Sequence, residues 1–98
     1  MFHIVWAFRA APERSLDFAT AYGPEGGWVG LFREGPGYRD TELFRSAADP
    51  SRFLTVDRWE SRLAYEQFRR ERATDYARLD AACEALTVQE DFLGAFGE

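Results

Sequence analysis

The chain contains no lysine and no asparagine, and only one cysteine, one histidine and one isoleucine among its 98 residues. Each shortage removes chemistry. Without lysine there is no Schiff-base nucleophile and no anchor for pyridoxal phosphate, and without asparagine there is no asparagine oxyanion donor. All twelve basic residues are therefore arginine. We read this as the bias of a GC-rich bacterial genome, so an arginine here is not in itself a sign of bidentate recognition. Cys83 has no partner for an internal disulfide, which fits a reducing cytoplasm. With His3 far from Cys83, neither a metal ligand set nor a Cys–His or Ser–His–Asp arrangement is expected. No 18-residue apolar run exists to span a membrane. The opening "MFHIVWAFRAAPERS" lacks the basic region and long apolar stretch of a secretion signal. A net charge of −5 excludes the positive footprint that nucleic acid demands. The densest basic cluster, Arg69, Arg70 and Arg72, is interleaved with Glu66 and Glu71 and reads as a solvated helix face. The glycines between Gly23 and Gly37 are too irregularly spaced for a phosphate loop.

Aromatics are what the chain has in abundance, at 16% with nine Phe, four Tyr and three Trp. Residues 1–98 have room for a single small domain and one core. A chain of this size buries only about 60–65% of its unfolded surface, so large aromatic side chains carry much of its stability. "MFHIVWAFRA" alternates as a strand, with Phe2, Ile4, Trp6 and Phe8 on one face. In "APERSLDFATAYG", Pro12 suits the first helical position, Glu13 the positive end of the helix dipole and Gly23 the stop. A Gly-rich connection then holds a short apolar turn around Trp28, Val29, Leu31 and Phe32. "GYRDTELFRS" and "RFLTVDRWE" read as a hairpin across "ADPS". Ser61 is placed to cap a helix through "SRLAYEQFRR". A further helical stretch carries the stripe Tyr76, Leu79, Cys83 and Leu86, punctuated near Thr74 and Asp75. "TVQEDFLGAF" is a final strand.

The order strand, helix, strand, strand, helix, strand predicts an α+β, ferredoxin-like βαββαβ fold with a four-stranded antiparallel sheet and helices on one face. The other face should then be polar, yet the first and last strands are apolar on both sides, through Val5 and Ala7 and through Leu93. A second copy of the chain is the expected cover, giving a homodimer whose sheets form a dimeric α+β barrel.

The run "GYRDTELFRS…RFLTVDRWESRLAYEQF" resembles the antibiotic biosynthesis monooxygenase-like proteins, in which a Trp-[Glu/Asp]-Ser segment, here Trp59-Glu60-Ser61, closes one strand and opens the next helix. The resemblance implies a dimeric α+β barrel and, in the quinone-forming members, an oxygenase that uses neither metal nor flavin. In those enzymes a deprotonated phenol or anthrol itself activates oxygen, and the protein supplies a dry cavity and electrostatic help. Trp59 matches the family's strand-end tryptophan and Tyr65 its pocket tyrosine. Thr55 stands where the family has asparagine, and the pocket arginine has no match, Arg78 being nearest but offset. The haem-degrading branch needs an asparagine and a helix-borne histidine, both missing here, so no cofactor is expected.

Within this frame the candidate base is Asp57 or His3, with Tyr65 as the orienting donor. His3 is a candidate because histidine alone titrates near neutrality unaided. Trp59 and Trp6 are the candidate cavity walls, joined by Thr55, Phe68 and Glu90. Asp57 shares a strand face with Phe53, Thr55 and Trp59, and the aliphatic pair Leu54 and Val56 lies opposite. Placing that pair beneath the helices turns Asp57 toward the barrel interior, where desolvation would raise its pKa into the range of a general base. The alternative is an ordinary ion pair with Arg39 or Arg45. The expected activity is a cofactor-independent monooxygenase acting on a small aromatic or polyketide-like compound. The rivals are a non-catalytic ligand-binding or structural barrel and an acid–base isomerase or cyclase on the same fold.

Overall fold

A computed structural model of the chain describes residues 1–97. The strands are β1 (Phe2–Ala10), β2 (Tyr38–Arg45), β3 (Arg52–Trp59) and β4 (Thr87–Gly97). They form one antiparallel sheet in the order β2-β3-β1-β4. The helices are α1 (Ser15–Tyr22), α2 (Gly27–Phe32), α3 (Arg62–Glu71) and α4 (Ala73–Cys83), with a 3₁₀ turn at Glu84–Leu86 before the last strand. This is the α+β ferredoxin-like arrangement expected from the element order.

Local differences from the sequence reading have physical causes. Pro12 and Glu13 form a turn ahead of α1 rather than its first residues. Arg14 N–H closes that turn on Ala11 O at 2.9 Å, and Glu13 adopts φ 65°. Asp17 supplies the first-turn acid instead. The apolar turn at Trp28 is a helical segment, α2, all of whose large side chains are buried. The second crossover breaks at Arg72 rather than at Thr74 or Asp75; its φ −114° and ψ 25° interrupt the helix. Ser61 caps α3 as expected, accepting from Ala64 N–H at 3.1 Å.

The core lies between one face of the sheet and the helices, and β3 fixes its phase. Phe53, Thr55, Asp57 and Trp59 are buried, whereas Leu54, Val56 and Arg58 are only half-buried. The expectation that Leu54 and Val56 pack beneath the helices is therefore reversed. The residue that decides the phase is Trp59, at 0% exposure, ringed by Phe32, Tyr38, Tyr65 and Phe68 at centroid distances of 4.9–5.9 Å. On the opposite face Arg58 pairs with Asp40 and Glu42 at one end. Phe44, Leu93 and Phe96 stay 45%, 51% and 54% exposed on that face.

Two register irregularities matter. On β2, Tyr38 pairs with Trp59 and Asp40 with Arg58, so Arg39 is an extra residue and forms a bulge. On β4, Leu93 is the extra residue between Phe92, opposite Trp6, and Gly94, opposite Val5. Gly37 precedes β2 at φ 95°, and a Cβ there would come 2.8 Å from Ala64 Cβ. Its carbonyl accepts from Glu60 N–H at 2.7 Å, tying the entry of β2 to the end of β3.

Phe68, at 1% exposure, seals the other side of Trp59. Phe68→Ala is expected to cost about 3–5 kcal/mol by cavity formation. Gly37→Ala is expected to cost about 1–3 kcal/mol through backbone strain and the Ala64 clash. Urea denaturation followed by tryptophan fluorescence checks both.

Candidate active site

The burial of one face of β3 against aromatic helices leaves a gap over its middle, where the side chains are short. Thr55 and Asp57 form its floor, and the volume above them is about 260 Å³. The deep wall is aromatic, made by Phe8, Tyr22, Trp28 and Phe32. Trp6, Thr41 and Tyr76 are half-buried at the sides. Three exposed charged residues complete the lining at the rim: Arg69 from α3, Asp80 from α4 and Glu90 from β4.

Asp57 is 7% exposed, and among the described residues no arginine pairs with it. Arg39 lies 4.0 Å from Glu60, and Arg45 donates to the carbonyl of Pro50. Asp57 Oδ1 instead accepts from Thr41 Oγ1 at 2.8 Å, and Thr41 Oγ1 lies 2.7 Å from the Tyr38 hydroxyl. Since the Thr41 proton is committed to Asp57, the Tyr38 hydroxyl donates to Thr41. Burial raises the Asp57 carboxyl from 3.8 to about 6, and the Thr41 hydrogen bond opposes the rise. No other hydrogen bond to Asp57 exists among the described residues. Oδ2 is also not one of the sealed, unpaired polar atoms, which are the indole nitrogens of Trp28 and Trp59. Oδ2 therefore opens onto the cavity.

Among the described residues, Arg69 is the one cation in the lining. Its guanidinium lies 3.9 Å from the centre of the Tyr76 ring and donates to the Tyr65 hydroxyl at 3.0 Å. Burial pushes the Tyr76 phenol up to about 12, against the effect of Arg69. Burial also raises Tyr22 and Tyr38, so all three phenols are neutral donors at physiological pH. Glu90 is raised by partial burial first and by the neighbouring Asp80 charge second.

Of the residues singled out from sequence, Asp57, Thr55, Trp6 and Glu90 line this cavity together. Trp59 and Phe68 do not; they are core residues behind it. Tyr65 reaches it only through Arg69, its ring packed between Phe2 and Trp59. His3 is on the opposite face of the sheet, 3.4 Å from Phe96 O, because it alternates with the buried Phe2 and Ile4. The cavity is also not on the face of the sheet away from the helices, as expected from Leu54 and Val56, but beneath the chain's own helices. Thr41, Tyr22, Trp28, Tyr76, Asp80 and Arg69 were not anticipated. Its glutamate neighbours make Arg69 look like part of a solvated face, although its spacing from Tyr65, one helical turn, is a usable signal. Among the described residues no cluster of three or more His, Cys, Asp or Glu side chains could hold a metal ion.

Solved structures share this architecture. SnoaB, a cofactor-independent oxygenase from Streptomyces nogalater, superposes with a TM-score of 0.80 at 15% identity, over 99% of this chain and 91% of that one. A putative antibiotic biosynthesis monooxygenase from Bordetella bronchiseptica gives 0.74 at 18% identity, over 99% and 95%. One from Deinococcus radiodurans gives 0.73 at 14% identity, over 100% and 92%. At these identities the likeness is one of fold. No curated protein matches the chain. The family model for Antibiotic biosynthesis monooxygenase matches residues 1–78, which span β1 through most of α4 and include every side chain of the Asp57 hydrogen-bond chain. The chain belongs to the antibiotic biosynthesis monooxygenase family.

Proposed function

We propose that the protein is a cofactor-independent monooxygenase acting on a small phenolic aromatic, with Asp57 as its general base. The observation that carries this reading is a desolvated carboxylate, with one oxygen open, on the floor of an aromatic cavity. A base with a pKa near 6 is ionised at neutral pH and still accepts a proton readily. Oδ2 removes the phenolic proton, and the aromatic wall keeps water from competing. The electron-rich phenolate transfers electrons to dioxygen, and a carbon–oxygen bond forms at the activated ring carbon. The oxygen–oxygen bond then breaks. One oxygen remains as the new carbonyl, and the other leaves as water with the two hydrogens lost by the substrate. Arg69 supplies positive charge to the same cavity, favouring the anion over the neutral phenol.

The size of the cavity narrows the substrate. Pockets for drug-sized ligands run from about 300 to 1,000 Å³, and 260 Å³ is just below that range. One or two fused rings fit better than an extended polycycle. Tyr65 acts by holding Arg69, Trp6 and Glu90 border the ligand, and Trp59 and Phe68 hold the wall in place from behind. The active form in this reading is a cytoplasmic homodimer, supported by Phe44, Leu93 and Phe96 on the sheet face that no helix covers. No helix among the described residues is long and apolar enough to cross a membrane.

Oxygen uptake with a panel of one- and two-ring dihydroxyarenes tests the activity. Asp57→Asn should lower kcat/KM by about 10²–10⁴-fold, and Arg69→Gln by a smaller factor. Binding of the panel, read by quenching of Trp6 and Trp28, without any oxygen uptake would favour a ligand-binding barrel. Thr55 in place of the family's asparagine would then be the first residue to revert.

The pH dependence follows from the raised carboxyl. The rate should climb as pH rises through about 6, where Asp57 becomes ionised, and Asp57→Asn should lack that limb. Stability runs the other way. A raised folded-state pKa contributes stability below 3.8 that is lost as the pH passes through about 6. At pH 8 the buried charge costs about 3 kcal/mol. Asp57→Asn is therefore expected to gain about 1–3 kcal/mol relative to wild type between pH 4 and pH 8, measured by urea denaturation at each pH.

Light scattering should give twice the chain mass. Leu93→Glu, on the uncovered face, should give the chain mass and leave the far-UV circular dichroism unchanged.

A further inference from the structure

We infer that Thr41 and Tyr38 are positioning residues for Asp57, forming a directed hydroxyl chain that fixes one carboxylate oxygen and reserves the other for the ligand. The inference rests on the reading of Asp57 as the base, and it adds residues that neither the family resemblance nor the sequence pattern pointed to.

The geometry is a line of three side chains across two strands. Thr41 sits opposite Asp57 in the β2–β3 register and gives its proton to Oδ1 at 2.8 Å. Tyr38 sits opposite Trp59 and lies 2.7 Å behind the Thr41 hydroxyl. A lone threonine hydroxyl can rotate and offer either its proton or a lone pair. The Tyr38 proton removes that freedom by occupying a lone pair of Thr41, so the Thr41 proton has Asp57 as its remaining partner. Burial keeps the Tyr38 phenol protonated and hence a donor. The carboxylate is thereby held in one rotamer, with Oδ2 facing the cavity.

The bulge at Arg39 is what makes this possible. Residues three apart on a regular strand face opposite sides of the sheet, so Tyr38 and Thr41 would be separated by it. The extra residue restores them to one side, and both face the helices. The bulge's effect on the site is thus to put a second hydroxyl in line behind the first. The remaining ionisable side chains that share the cavity are Tyr22 from α1, Arg69 from α3, Tyr76 and Asp80 from α4, and Glu90 from β4. None of these makes a hydrogen bond or ion pair with Asp57 among the described residues.

The test is the titration midpoint of Asp57, read from its ¹³C-labelled carboxyl resonance and assigned with Asp57→Asn. Thr41→Val, close to isosteric, removes a hydrogen bond to the ionised form and should raise the midpoint by about one pH unit or more. Thr41→Ser should restore the wild-type midpoint, and Tyr38→Phe should give a smaller rise in the same direction. An unchanged midpoint in folded Thr41→Val, or Thr41→Ser behaving as the valine variant does, overturns the inference. If Thr41→Val does not fold, Tyr38→Phe decides, and a wild-type midpoint there is equally fatal. The two readings fail separately. Shifted midpoints with no oxygen uptake on any phenol would remove the oxygenase and leave the positioning chain. Oxygen uptake with an unshifted midpoint would do the reverse.

Discussion

Asp57 is buried because Trp59 is. Strand side chains alternate between faces with period two, so the phase of β3 is one choice made for the whole strand. Burying Trp59 and Phe53 on the helix side necessarily carries Thr55 and Asp57 with them. Full burial of each large aromatic contributes about 2–3 kcal/mol, and the two together about 4–6 kcal/mol, more than the roughly 3 kcal/mol that the ionised carboxylate costs at neutral pH. The opposite phase would put Leu54, Val56 and Arg58 inside, exchanging two aromatics for smaller side chains and a guanidinium that would lose Asp40 and Glu42. The buried carboxylate and the gap above it are by-products of that constraint.

The same phase explains why the cavity exists. Phe53 and Trp59 are large and meet the helices directly, whereas Thr55 and Asp57 are short and leave a gap above themselves. Aromatic residues from β1, α1 and α2 wall that gap without filling it. The cost falls on a domain whose total stability is on the order of 5–15 kcal/mol. An ionised Asp57 thus takes a sizeable share of the margin at neutral pH, and among the described residues the Thr41 hydrogen bond is the only direct compensation given to it.

Much of this was legible in the sequence, and the losses are instructive. Period-two alternation in "FHIVWAF" and "FLTVDRW", the Ser61 cap and the Tyr76-to-Leu86 stripe gave the elements and the fold class. Alternation also grouped Asp57 with Thr55 and Trp59 correctly. It could not say which group faced the helices, because Leu54 and Val56 made an equally apolar claim. Only the tertiary fit of Trp59 among Phe32, Tyr38, Tyr65 and Phe68 settles that. The Tyr38–Thr41 contact was hidden for another reason. It depends on a bulge, and a single inserted residue inverts parity without leaving a mark in composition. Arg69 was lost to charge counting: three arginines among glutamates look solvated until one of them is seen to stack on Tyr76 and bond to Tyr65.

The placement of the cavity separates two properties that a barrel-interior site would have joined. A ligand between the two sheets of a dimer would touch both subunits, so that assembly and binding could not be altered independently. Here Asp57 and Thr41 lie between the sheet and the chain's own helices with Arg69 at the rim, and Phe44, Leu93 and Phe96 lie on the other side. The sheet is one residue layer thick between them, and adjacent residues on β3 alternate between the two roles: Asp57 faces the cavity, and Val56 and Arg58 face away. Changes on the uncovered face therefore reach the site through the backbone of the sheet. The backbone of β3 is held by an uninterrupted antiparallel ladder to β1 on one side and, apart from the bulge at Arg39, by a second ladder to β2 on the other. A rigid, doubly paired central strand is the element best suited to keep a buried carboxylate in register with the hydroxyls on its neighbour, whatever covers the sheet's other side.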